Sequence, residues 1–152
     1  MLDWIKKRAV EARKQEKHSK WLANKSRLIE SHSQEFFSQV STLMRKAIED
    51  FNEEFPEMGR EIDRFESGVN RFTVERKSGM AVVLECRLDL SSHFVRYRFV
   101  RTHPFHNKTY DYDGFLEFDI SGKNEVLLKT IEMVPMSVEQ VTQFLLEPFF
   151  EF

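Results

Sequence analysis

From Phe36 onward, apolar residues return every three or four positions: Phe36, Phe37, Val40, Leu43, Met44, Ala47, Ile48 and Phe51. Polar residues such as Gln39, Arg45 and Glu49 fill the intervals, which predicts an amphipathic helix with a broad aromatic stripe. Pro56 limits it, because the residue before a proline disfavours α geometry. Ser31-His32-Ser33-Gln34 reads as its start, a capping box in which hydroxyl and amide side chains satisfy the free backbone amides.

The period then shortens to two. Phe72 and Val74 alternate with Arg71, Thr73 and Glu75, and Lys77-Ser78-Gly79 reads as a turn. Met80, Val82, Leu84, Cys86, Leu88 and Leu90 make one apolar row, with Glu85, Arg87 and Asp89 opposite. Val95, Tyr97 and Phe99 continue it after Ser91-Ser92-His93. A further strand over 109–120 puts Tyr110, Tyr112, Leu116, Phe118 and Ile120 inward and Asp111, Asp113, Glu117 and Asp119 outward. A last strand follows over 126–131. Short turns and clean alternation predict antiparallel pairing with one wet face.

Ser137-Val138-Glu139-Gln140 opens a short helix carrying Val138, Val141, Phe144 and Leu145, which stops at Pro148. The predicted fold class is therefore α+β: a five-stranded antiparallel meander with a long amphipathic helix and a short C-terminal helix on one face. A basic N-terminal helical segment, residues 1–30, stands apart from the α+β domain of residues 31–152.

That segment is helical by propensity, but its apolar residues form no single stripe. Leu2, Ile5, Ala9 and Ala12 share one face; Trp21, Leu22, Leu28 and Ile29 lie nearly opposite. A break near residues 17–20 would let the two halves meet different surfaces. Residues 1–30 carry nine Lys and Arg against four Asp and Glu, whereas the remaining 122 carry fourteen against twenty-one. Such asymmetry marks an arm that docks on its own acidic domain or on a partner.

Bulk composition narrows the class. With 152 residues, 41% hydrophobic and 32% charged, the chain has the material for one globular core without disulfide or metal staples. Met80–Leu84 is its longest apolar run, far below the roughly 20 residues needed to span a bilayer. Charged residues occupy the place of a signal core, and the one cysteine, Cys86, excludes an intramolecular disulfide, so the expected location is cytoplasmic.

Chemistry is sparse. Scattered glycines exclude P-loop and dinucleotide fingerprints, and HExxH, CxxC and GxSxG are all absent. No catalytic residue and no cofactor is assigned, and the reading leans against an enzyme. His103 and His106, three apart and near Asp111 and Asp113, are weak candidate metal ligands. Cys86 on an apolar row reads as core. Arg96-Tyr97-Arg98-Phe99 places arginines and aromatics on opposite faces, against the exposed stacking platform that nucleic acid needs.

Two segments read as partner surfaces. One is the basic arm, through Trp4, Lys6, Lys7, Arg8 and Trp21; the other is the aromatic tail, Phe149, Phe150 and Phe152. The expected function is a non-enzymatic protein-interaction module that binds a protein partner or self-associates. A membrane surface is a lesser partner for residues 1–30. The alternative is a small-molecule binding domain, with an apolar ligand between helix and sheet.

Overall fold

The computed structural model describes residues 2–106 and 108–151. It is an α+β fold in two layers. Helix α1 runs over Asp3–Glu54 and is followed by seven strands: β1 Arg64–Gly68, β2 Arg71–Arg76, β3 Ala81–Asp89, β4 Phe94–Thr102, β5 Thr109–Ile120, β6 Val126–Lys129 and β7 Pro135–Met136. Helix α2, Val138–Leu146, and a 3₁₀ turn, Glu147–Phe150, complete the order. Each strand pairs antiparallel with the next, giving a seven-stranded meander in chain order.

The core lies between the sheet and the C-terminal half of α1. Ile29, Ser33, Phe36, Phe37, Val40, Met44, Ile48 and Phe51 are its buried residues, at the spacing of a single helical stripe. Phe37 stacks on Phe72 with ring centroids 5.4 Å apart, and Phe36 meets Phe118 edge-on at 5.7 Å. Each fully buried side chain of this size contributes about 1.5–3 kcal/mol. Helix α2 packs beside α1 and buries Val141, Leu145 and Leu146. Its capping box forms as the sequence predicts: the Gln140 amide donates to Ser137 Oγ at 3.3 Å, and the Ser137 amide to Gln140 Oε1 at 2.9 Å.

Four local expectations are corrected. First, α1 does not break near residues 17–20; it is one helix of 52 residues. Lys, Arg, Glu and Ala support helix in both halves, and a change of apolar face does not require a change of backbone. Second, Ser31 caps nothing. It lies in mid-helix, its hydroxyl donating to the Arg27 carbonyl at 2.8 Å, while the Gln34 side chain reaches Asn70.

Third, the sheet has seven strands rather than five. β1 carries a single apolar residue, Phe65, and β7 is two residues long, so neither shows a period. Both exist through pairing: β1 with β2 around a Val69-Asn70 turn with Asn70 at φ 57°, and β7 with β6. Fourth, Tyr110, Tyr112 and Leu90 are exposed, and Asp119 is buried. Residues 109–113, the first part of β5, are all exposed, and Leu90 falls in the turn after β3.

Residue parity also hides a charge. Arg76 follows Phe72 and Val74 on the inward side of β2 and is fully buried.

Candidate functional site

Four places on this scaffold hold functional candidates: the free half of α1, the aromatic tail, the histidine turn and the outer face of the sheet.

Residues 2–23 are exposed apart from half-buried Ala9, so the first six turns of α1 stand clear of the sheet, projecting about 30 Å. Trp4 is 63% exposed and Trp21 48%, with Ile5, Val10 and Leu22 exposed beside them. Lys6, Lys7 and Arg8 are exposed as well. Trp21 stacks on His18 with ring centroids 6.0 Å apart, and the Lys25 ammonium lies 5.4 Å from its ring. Because the helix is unbroken, Trp4 and Trp21 belong to separate patches more than four turns apart. The root of the arm is anchored by Lys25, whose Nζ is 3.0 Å from Asp119 Oδ1; Lys129 pairs with the other oxygen. Burial would raise the Asp119 pKa, but hydrogen bonds from Lys129 and Lys25 outweigh it and hold the carboxyl below its usual range.

The tail is drawn inward. Phe149 is 0% exposed, and Phe150 packs edge-on against Phe51 at 5.1 Å and Phe55 at 6.0 Å. Phe152 lies outside the described residues. Arg76 organises this closure. Its Nε and Nη2 donate to the Arg60 carbonyl at 2.9 and 2.7 Å, Nη2 donates to the Phe149 carbonyl at 2.5 Å, and Nη1 to the Glu151 carbonyl at 3.1 Å. The guanidinium also faces the rings of Phe51 and Phe149, 5.6 and 5.7 Å away. Arg101 pairs with the Glu151 carboxylate. Of the two described tail candidates, Phe149 is therefore core, and Phe150 is half committed to it.

His103 and His106 do come together, with ring centroids 4.4 Å apart in the β4–β5 turn. His103 Nδ1 accepts the Phe105 amide at 3.2 Å, a bond internal to the turn. Asp111 is held by Arg98 through two bonds of 2.9 and 2.5 Å, which keep its carboxyl below the usual range. Among the described residues, no group of three or more His, Cys, Asp or Glu is placed to hold a metal ion. Cys86 is buried, and desolvation pushes its thiol well above the ordinary value, so thiolate chemistry is suppressed.

The outer face of the sheet carries a feature that reading one strand at a time does not reveal. Arg71, Arg87 and Arg96 are direct cross-strand neighbours on β2, β3 and β4, and Phe115 continues the row on β5. They border a hollow of about 700 Å³. Phe94 packs on Phe115 with ring centroids 5.1 Å apart, so aromatics share the arginines' face here, whereas Tyr97 and Phe99 point inward as expected. The missed signal was register: only pairing shows that three arginines on three strands form a line.

Between α1 and the β1–β2 hairpin runs a groove of about 510 Å³. Its walls are mixed, with Ser38, Ser41, Thr42, Arg45, Ser67 and Asn70 beside Phe37 and Val69. Among the described residues, no helix is long and apolar enough to cross a membrane. Comparison with known proteins found no match to any protein-family model, curated protein or solved structure.

Proposed function

We propose that the chain is a protein-interaction module whose binding element is the projecting half of α1. The observation that carries this reading is the exposure of Trp4, Ile5, Trp21 and Leu22 on a helix held out from the domain by its own continuity. Two tryptophans left in water are costly, and each is worth about 1.5–3 kcal/mol or more once a partner covers it. The surrounding Lys6, Lys7 and Arg8 favour a partner with an acidic surface, which they would steer and orient. With Trp4 and Ile5 in one patch and Trp21 and Leu22 in another on the same unbroken helix, the partner would meet the arm at two separate apolar contacts rather than along one continuous stripe. The buried, lone thiol of Cys86 suits a reducing compartment, and we place the module in the cytoplasm.

The test is affinity capture with the full chain and with a Trp4→Ala, Trp21→Ala, Leu22→Ala variant, each followed by sedimentation of the purified protein. A partner, or a second copy, retained by the parent and lost by the variant at unchanged thermal midpoint supports the module. Equal retention by both proteins overturns it. Binding of the parent to anionic vesicles, with no protein captured, replaces it with a membrane-surface role.

A further inference from the structure

The arginine row on the outer sheet face is opposed by electrostatics. Like charges directly opposite each other in a sheet are destabilising, and here three stand in line across β2, β3 and β4. Neighbouring arginines on this face are neutralised within the fold: Arg98 by Asp111, and Arg64 by Glu66. Arg96 has only a loose contact with Asp89, at 3.9 Å. Among the described residues, no carboxylate lies within 4.0 Å of the Arg71 or Arg87 guanidinium nitrogens. With Arg98 already paired to Asp111, the hollow they border is lined by Arg71, Arg87 and Arg96 against two carboxylates, Glu85 and Asp113, a small local excess of positive charge on a chain of net charge −2.

We infer that this hollow binds a compact organic phosphate bearing an aromatic ring, of the mononucleotide class, with the phosphate on Arg71 and Arg87 and the ring against Phe115. Three observations fit that ligand together. The volume, about 700 Å³, lies within the range of small-molecule sites. Planar guanidinium forks match phosphate oxygens and form strong charge-assisted bonds. Phe115 is exposed at the end of the row, two strand spacings or about 10 Å from Arg87, where a base attached to that phosphate would lie. A nucleic-acid strand fits less well. Glu85 and Asp113 on one side and Asp89 and Glu117 on the other flank the row, and a polyphosphate chain leaving the arginines would run into them.

The experiment is an NMR titration of the full chain with adenosine 5′-monophosphate, inorganic phosphate and a fifteen-residue oligothymidylate, repeated on Arg87→Gln and Phe115→Ser. The expected result is saturable shifts centred on Arg71, Arg87 and Phe115. Arg87→Gln weakens both the nucleotide and phosphate by about tenfold. Phe115→Ser weakens the nucleotide while leaving phosphate unchanged. Because Arg87→Gln removes a like-charge contact, its thermal midpoint should be no lower than the parent's, which separates lost binding from lost folding. Absence of saturable nucleotide binding, or equal binding by Arg87→Gln, overturns the inference; so does oligothymidylate binding more tightly than the nucleotide.

Discussion

Nη2 of Arg76 donates to the main-chain carbonyl of Phe149 at 2.5 Å, joining residues 73 positions apart in a fully buried contact. The same guanidinium serves the carbonyls of Arg60 and Glu151, so one charged side chain ties the end of β2 to the loop before β1 and to the aromatic tail. Carbonyls that enter a core need donors, and this arginine supplies them at the point where the 3₁₀ turn closes over Phe51.

Arg76→Met should therefore destabilise the fold by about 3 kcal/mol or more, although methionine is the more hydrophobic residue, because buried carbonyls lose their donors. Deleting residues 149–152 should cost a similar amount. In a denaturant double-mutant cycle, the two changes should be strongly non-additive, since each removes the other's partner. Additive losses would show that the tail and Arg76 act independently.

Asn52 makes a second link of this kind. Its Nδ2 donates to the Ile62 carbonyl at 2.9 Å, and its Oδ1 accepts the Ile62 amide at 2.7 Å, a paired contact that sets where the loop after α1 turns toward the sheet. Asn52→Leu fills the space and leaves both groups without that partner, and about 1–3 kcal/mol of stability should disappear in urea unfolding. Asn52→Asp keeps the acceptor and loses the donor, so it should fall between the two.

A prediction of opposite character attaches to Gly114. It lies across from Tyr97, and a Cβ built there would sit 2.3 Å from Cζ of the tyrosine ring. Gly114→Ala should cost about 1–3 kcal/mol through overpacking. The cost should vanish in a Tyr97→Val background, where no ring covers the position. A penalty that persists there would locate the constraint in the backbone instead.

Asp119 supplies the pH dependence. Its folded pKa is depressed, so its contribution is fully present above the unfolded carboxylate value, about 4, and is lost as pH falls through the lower folded value. Thermal midpoints should decline on acidification below about pH 4, and the decline should be shallower in Asp119→Asn. Amide exchange around Lys25 should accelerate in that variant, because the ion pair that anchors the arm is weakened.

Local chemistry was enough to read several of these elements. The stripe from Phe36 to Phe51, the alternation of β3 and β4 and the capping box at Ser137 depend on neighbours within a few residues, and each lies where the pattern puts it. Ser31 has the same capping signature and yields no cap, because strong helix formers on both sides carry the backbone through it. The two missed strands are of the other kind: β1 and β7 have too few apolar residues to mark themselves and are made by their pairing partners.

Sequence by itself determined the α+β class, the antiparallel order of the central strands and the basic, tryptophan-bearing character of the arm, since propensity and periodicity act locally. Tertiary structure decided the rest. It held the arm out as one continuous helix, drew Phe149 inward onto Arg76, and aligned Arg71, Arg87 and Arg96 across three strands. These relationships join residues far apart in the chain, and strand register and desolvation, which create them, have no value until the chain has folded.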